Sequence, residues 1–230
     1  MSLTFHVNHE YAQISELIPG LFICGVSSLN PANMKAFKIA LIINATNEVP
    51  NFRFLGDMQR MKLWIDDIPE EQGLSPAQLE VIADQIHAHL KDHSNVLVHC
   101  VAGVSRSATI CLAYLTKYRC RGLRDAYHLM CSKRAMVRPN LGFWRNLINF
   151  EQLVKGNAGS VRIVRDEAQD GKLIPDVYLR EIIPERSPSP ERADLDEGTL
   201  RERHNSNGSL NRIKFQPVLE PLAEIAEAAA

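Results

Sequence analysis

Apolar residues follow two rhythms along the first two thirds of the chain. Short unbroken runs come first: LFICG at 21–25, IALIINAT at 39–46, MKLWI at 61–65 and NVLVHC at 95–100. Runs of this length, bounded by polar turn residues, predict buried strands. The stretch AQISELI at 12–18 is joined to LFICG by Pro19-Gly20, a hairpin-like turn signal. Helical spacing separates the runs. Leu79, Ile82, Ala83, Ile86 and Leu90 recur at helical intervals within 75–93, and Ser75-Pro76 supplies a start signal. Asn30 and Pro31 similarly open a short helix near 31–37. SATICLAYLTKYR at 107–119 is apolar all round, which predicts a buried helix. LRDAYHLMCSK at 123–133 and LGFWRNLINFEQLV at 141–154 predict two more. Trp64 and Trp144 read as core anchors.

Strands alternating with helices predict an α/β fold, with a central, mostly parallel (mixed) sheet flanked by helices on both faces. Ligands of such sheets bind beyond the carboxyl ends of the strands. After about residue 155 the apolar pattern thins. Residues 185–215 are rich in Ser, Pro, Arg and Glu, and 181–230 are expected to be a disordered tail. In that tail Ser187-Pro188 and Ser189-Pro190 fit proline-directed kinase sites, although a solvated linker accounts for them as well.

Composition changes this picture little. Hydrophobic residues make up 45% of the 230 and charged residues 23%, ordinary globular values. The formal net charge is −1, so there is no bulk attraction to nucleic acid or an anionic membrane. Residues 1–155 hold 16 Lys and Arg against 13 Asp and Glu; residues 156–230 hold 10 against 14. The N-terminus lacks the pattern of a secretory signal, and no apolar run is long enough to span a membrane. Five scattered cysteines without a C-x-x-C pair argue for free thiols in a reducing compartment, cytoplasmic or nuclear.

Candidate chemistry concentrates between strand and helix. Cys100 ends the predicted strand 95–100, and a helix begins near Ser105. The loop between them, Val101, Ala102, Gly103, Val104 and Ser105, is small and uncharged. Such a loop aims backbone N–H groups at one centre and adds the positive end of the helix dipole. Gly103 allows torsions that other residues resist. Arg106 can fold back and grip an oxyanion with both arms. A thiol set at a helix N-terminus beside a cation is biased toward thiolate. A dianion cradle above a thiolate suits attack on phosphorus, whereas attack on a carbonyl would call for a histidine base.

HCVAGVSRS at 99–107 resembles the signature of the cysteine-dependent protein tyrosine phosphatases, in the form used by the small, atypical dual-specificity branch. RPNLGFW at 138–144 and PDVYL at 175–179 are similar to that branch too. The resemblance covers roughly residues 12–180. It implies a protein tyrosine phosphatase-like fold and a catalytic domain over 1–180, with its core at about 12–155. It implies hydrolysis of phosphotyrosine and of phosphoserine or phosphothreonine through a phosphocysteine. Cys100 would be the nucleophile, with Arg106 and the amides of 101–106 holding the phosphoryl oxygens. Ser107 would hydrogen-bond the sulfur, and His99 would order the loop rather than carry a proton. The family's general acid maps to Asp67 in Asp67-Ile68-Pro69, with Asp66 as the neighbouring alternative. No metal or other cofactor is implied. Phosphoproteins, protein kinases among them, are the expected partners. A phosphoinositide or RNA phosphatase is the alternative, disfavoured by the uncharged Val101, Ala102 and Val104; a non-catalytic phosphoprotein binder is a third reading.

Overall fold

The computed structural model describes residues 13–68 and 74–179. The serine-proline pairs and the rest of the expected tail lie outside them, as does Pro69. Five strands form one sheet in the order β1-β2-β5-β3-β4. β1 (Ser15–Ile18) turns at Pro19-Gly20 and pairs antiparallel with β2 (Leu21–Gly25). Gly20 has φ +86°, a torsion that suits glycine in a tight turn. β2, β5 (Asn95–Cys100), β3 (Ile39–Asn44) and β4 (Gln59–Lys62) run parallel. The mixed, mostly parallel sheet is the architecture expected.

Helices cover the two faces unequally. α1 (Pro31–Ala36) and the turn at Arg53–Leu55 close one face over Phe22, Ile42 and Leu97. The other carries α2 (Pro76–Lys91), α3 (Arg106–Tyr118), α4 (Leu123–Lys133) and α5 (Leu141–Lys155). α3 is buried along nearly its whole length, as its unbroken apolar pattern requires. Ser75 and Gln78 form a reciprocal capping box on α2, worth about 1 kcal/mol.

One expectation changes. Trp64 is 73% exposed rather than a core anchor. It stands beyond the end of β4, where Leu63 and Ile65 turn inward, and alternation sends it outward. Trp144 is fully buried, as expected. Past residue 155, within the expected 1–180 domain, two further strands form. β6 (Ile163–Asp166) and β7 (Lys172–Pro175) make a small hairpin, and Val161 and Ile174 are buried. Beyond it Tyr178 accepts a hydrogen bond from Trp144 Nε1 at 2.7 Å and donates one to the Pro139 carbonyl at 3.0 Å.

Candidate active site

β5 is the central strand, flanked by β2 and β3, so Cys100 emerges at the middle of the sheet's carboxyl edge. The thiol is 2% exposed. Its sulfur accepts two hydrogen bonds, from the Gly103 N–H and from the Ser107 hydroxyl, each at 3.2 Å. Both partners donate, the arrangement that suits a sulfur acting as an anion.

The loop turns above that sulfur because Gly103 has φ +70°. A Cβ there would lie 2.6 Å from the Cys24 carbonyl carbon and 2.8 Å from Arg134 Nη2. The N–H groups of Val101, Ala102, Val104 and Ser105 meet no acceptor among the described residues. The other long helices are treated differently. Ser75 and Asn140 cap α2 and α5, and Glu151 and Ser160 take the first amides of α4. At α3 the Ser105 side chain makes no cap and donates instead to Asp67 Oδ1 at 2.8 Å. The start of α3 is left open to an anion.

Arg106 is 6% exposed, with one arm of its fork already engaged. Nη1 donates to Glu48 Oε2 at 2.7 Å and to the Ile65 carbonyl at 3.2 Å. Nε has no hydrogen bond among the described residues; Asp67 Oδ2 stands 3.7 Å away. The edge formed by Nε and Nη2 is therefore available for two oxyanion contacts. Burial works against the guanidinium charge, but the Glu48 hydrogen bond and nearby negative charges hold its pKa above the usual arginine value. Burial likewise pushes Glu48 up, yet Arg106 and backbone N–H groups keep it below the usual carboxylate range.

The two aspartates diverge. Asp67 faces the loop, accepting from Ser105 and from Asn140 Nδ2 at 2.8 Å each. Asp66 instead accepts from Asn47 Nδ2 at 3.1 Å. Both line a cleft of about 360 Å³ with Asn47, Glu48, Ile68 and Arg106. His99 is 2% exposed, and burial depresses its pKa to about 4. Its neutral ring, in contact with the Cys100 backbone, suits a supporting residue. Asn140 caps α5 through Phe143 N and also holds Asp67, so it joins the site rather than serving only as a turn.

Two residues escaped the sequence reading. Glu48 follows the carboxyl end of β3, where such sheets place functional groups, so position was its one signal. Arg134 is 3% exposed; its Nε donates to the Gly103 carbonyl at 2.8 Å and its Nη2 to that of Ala102 at 3.1 Å. Its Nη1 reaches the Gln13 carbonyl at 2.9 Å, which ties the loop to the start of β1. No sequence signal marked it. All five cysteines are free. Among the described residues no cluster of His, Cys, Asp or Glu is arranged to hold a metal ion, and no helix is long and apolar enough to cross a membrane.

Comparison with known proteins agrees with this geometry. The family described as "Dual specificity phosphatase, catalytic domain" matches residues 21–153. Dual specificity protein phosphatase 14 of Mus musculus is 40% identical over 171 residues, 73% of this chain and 82% of its own. Dual specificity protein phosphatase 18 of Homo sapiens is 36% identical, covering 74% and 87%. Among solved structures, human DUSP28 superposes with a TM-score of 0.57 at 26% identity, over 62% of this chain and 95% of that one. A mouse putative dual specificity phosphatase, complexed with zinc tungstate, gives 0.58 at 28%, over 66% and 94%.

Proposed function

The chain belongs to the dual-specificity phosphatase family, and from that premise we propose how its own residues divide the work. The reaction is the family's: hydrolysis of phosphotyrosine and of phosphoserine or phosphothreonine through a phosphocysteine. Cys100 is the nucleophile. Its sulfur attacks phosphorus, and the oxygen–phosphorus bond of the substrate breaks. Asp67 gives its proton to the departing oxygen. The same carboxylate then takes a proton from the water that frees phosphate from sulfur. Ser107 hydrogen-bonds the sulfur and eases its departure. Gly103 and the loop amides of Val101, Ala102, Val104 and Ser105 hold the phosphoryl oxygens together with Arg106. His99 stays neutral and keeps the loop in shape. The observation that carries this reading is the open ring of N–H donors and the unspent edge of Arg106 above the Cys100 sulfur.

Substrates are phosphoproteins, with protein kinases among the candidates. The cleft is bounded by Ile68 and polar residues, with no tyrosine in its lining among the described residues to deepen it. A short phosphothreonine can then reach the sulfur as well as a phosphotyrosine. The five free cysteines suit a reducing compartment, cytoplasm or nucleus. The catalytic domain spans residues 1–180.

The test is phosphate release from a phosphotyrosine peptide, a phosphothreonine peptide and a phosphoinositide, with EDTA present. Release from both peptides and little from the lipid is expected. Turnover of the lipid matching that of the peptides would shift the reading to a lipid substrate. Tight peptide binding without release would make the chain a binder.

A further inference from the structure

A second cavity among the described residues is lined by a different set of residues from the catalytic cleft. It is a groove of about 640 Å³ between the start of α2, one face of α5 and residues 158–163. Its lining mixes apolar side chains, Ile148, Val161 and Ile163 among them, with amides and two cations. Arg145 and Arg162 both line it and both are exposed. Among the described residues neither guanidinium meets a carboxylate, whereas Arg121 pairs with Asp125, Arg124 with Asp176, and Lys117 with Glu80 and Asp84. No described Asp or Glu is found in the lining. Beside Arg145, Asn146 is only 7% exposed, and its Nδ2 donates to no described acceptor. A buried amide without an acceptor costs free energy, and a ligand oxygen would remove that cost. Asn149 adds a second amide, and the capped start of α2 at Ser75 faces the same space.

We propose that this groove binds the carboxylate side chains of an acidic segment of the phosphoprotein substrate. The inference rests on the reading that the cleft lined by Asp67 and Arg106 takes a phosphoprotein, and it names a feature of that protein. The groove begins beside the cleft: Gly142 lines it, two residues after the Asn140 that holds Asp67. Arg145 and Gln152 follow Asn140 down α5, and at 1.5 Å per residue they stand roughly 7 and 18 Å along the helix. An extended peptide advances about 3.3 Å per residue. The acidic residues therefore fall roughly two to six positions from the phosphoresidue.

Two phosphopeptides test this, identical except for Glu or Gln at those positions. Wild-type protein should turn over the Glu peptide with a kcat/KM about 3- to 10-fold higher, the worth of two exposed charge contacts. The gain should lie in KM and fade as salt is raised. The double variant Arg145→Glu, Arg162→Glu should lose that preference, and its turnover of the Gln peptide and of p-nitrophenyl phosphate should not change. Equal turnover of the two peptides by wild type would overturn the proposal, as would an equal loss of both in the double variant. Failure to release phosphate from p-nitrophenyl phosphate would instead sink the reading of the cleft. The groove is then judged by anisotropy with fluorescent forms of the two peptides: tighter binding of the Glu peptide, lost in the double variant, supports it, and equal binding overturns it.

Discussion

In the proposed mechanism Asp67 and His99 have opposite tasks. Asp67 stands against Ser105, Asn140 and Arg106, and the proposed mechanism makes it the acid. Replacing it with Asn should lower kcat by about 10²- to 10⁴-fold for a phosphothreonine peptide. The loss should be smaller for p-nitrophenyl phosphate, whose leaving group needs less help, and the basic limb of the pH–rate profile should vanish. If Asp66→Asn produces these effects instead, the acid is the neighbouring residue. His99 is held neutral by burial, its pKa pushed from 6.5 down to about 4. Between those values the unfolded chain binds a proton that the folded chain refuses. Stability therefore falls as pH drops from 6.5 toward 4, by as much as about 3 kcal/mol. Urea unfolding at the two ends of that window should show a shallower pH dependence for His99→Gln than for wild type; equal slopes would contradict the account.

At the scale of the element, one loop is shaped by torsion and by contacts from distant chain. Gly103 adopts a left-handed conformation against the backbone of Cys24, and Arg134 donates to its carbonyl. A Gly103→Ala protein should lose at least about tenfold in kcat/KM and roughly 1–3 kcal/mol of stability, measured by turnover and thermal unfolding. Wild-type values for both would mean that the loop can relax. The signature at 99–107 was legible in the sequence because its parts are local: a strand end, a small-residue loop and a buried helix in direct succession. Glu48 and Arg134 were not, since they reach the loop across 58 and 31 positions. The hairpin of β6 and β7 was not legible either; its strands are four residues each and only partly apolar, too short for a periodic signal. Trp64 misled because burial was inferred from residue type, whereas its alternation with Leu63 and Ile65 already pointed it outward.

For the whole molecule, the sheet presents Cys100 at its centre while α3, α4 and α5 brace the loop from one side. The C-terminal hairpin belongs to that brace. Ser160 holds the Glu151 carboxylate that caps α4, and Tyr178 locks Trp144. A chain ending at Lys155 should therefore fail to fold stably, and one ending at Leu179 should keep full turnover of p-nitrophenyl phosphate. Circular dichroism and turnover of the two truncations decide this, and a stable, active chain ending at 155 would contradict it. The central claim is that Cys100 carries the phosphoryl group. Its most direct test is rapid acid quenching during turnover of a radiolabelled phosphopeptide, followed by mapping of the label. The account predicts phosphate bound covalently to the Cys100 peptide of wild-type protein. It predicts no label in Cys100→Ser, which should still bind the phosphopeptide. Label on another residue, or substantial turnover by Cys100→Ser, would contradict it.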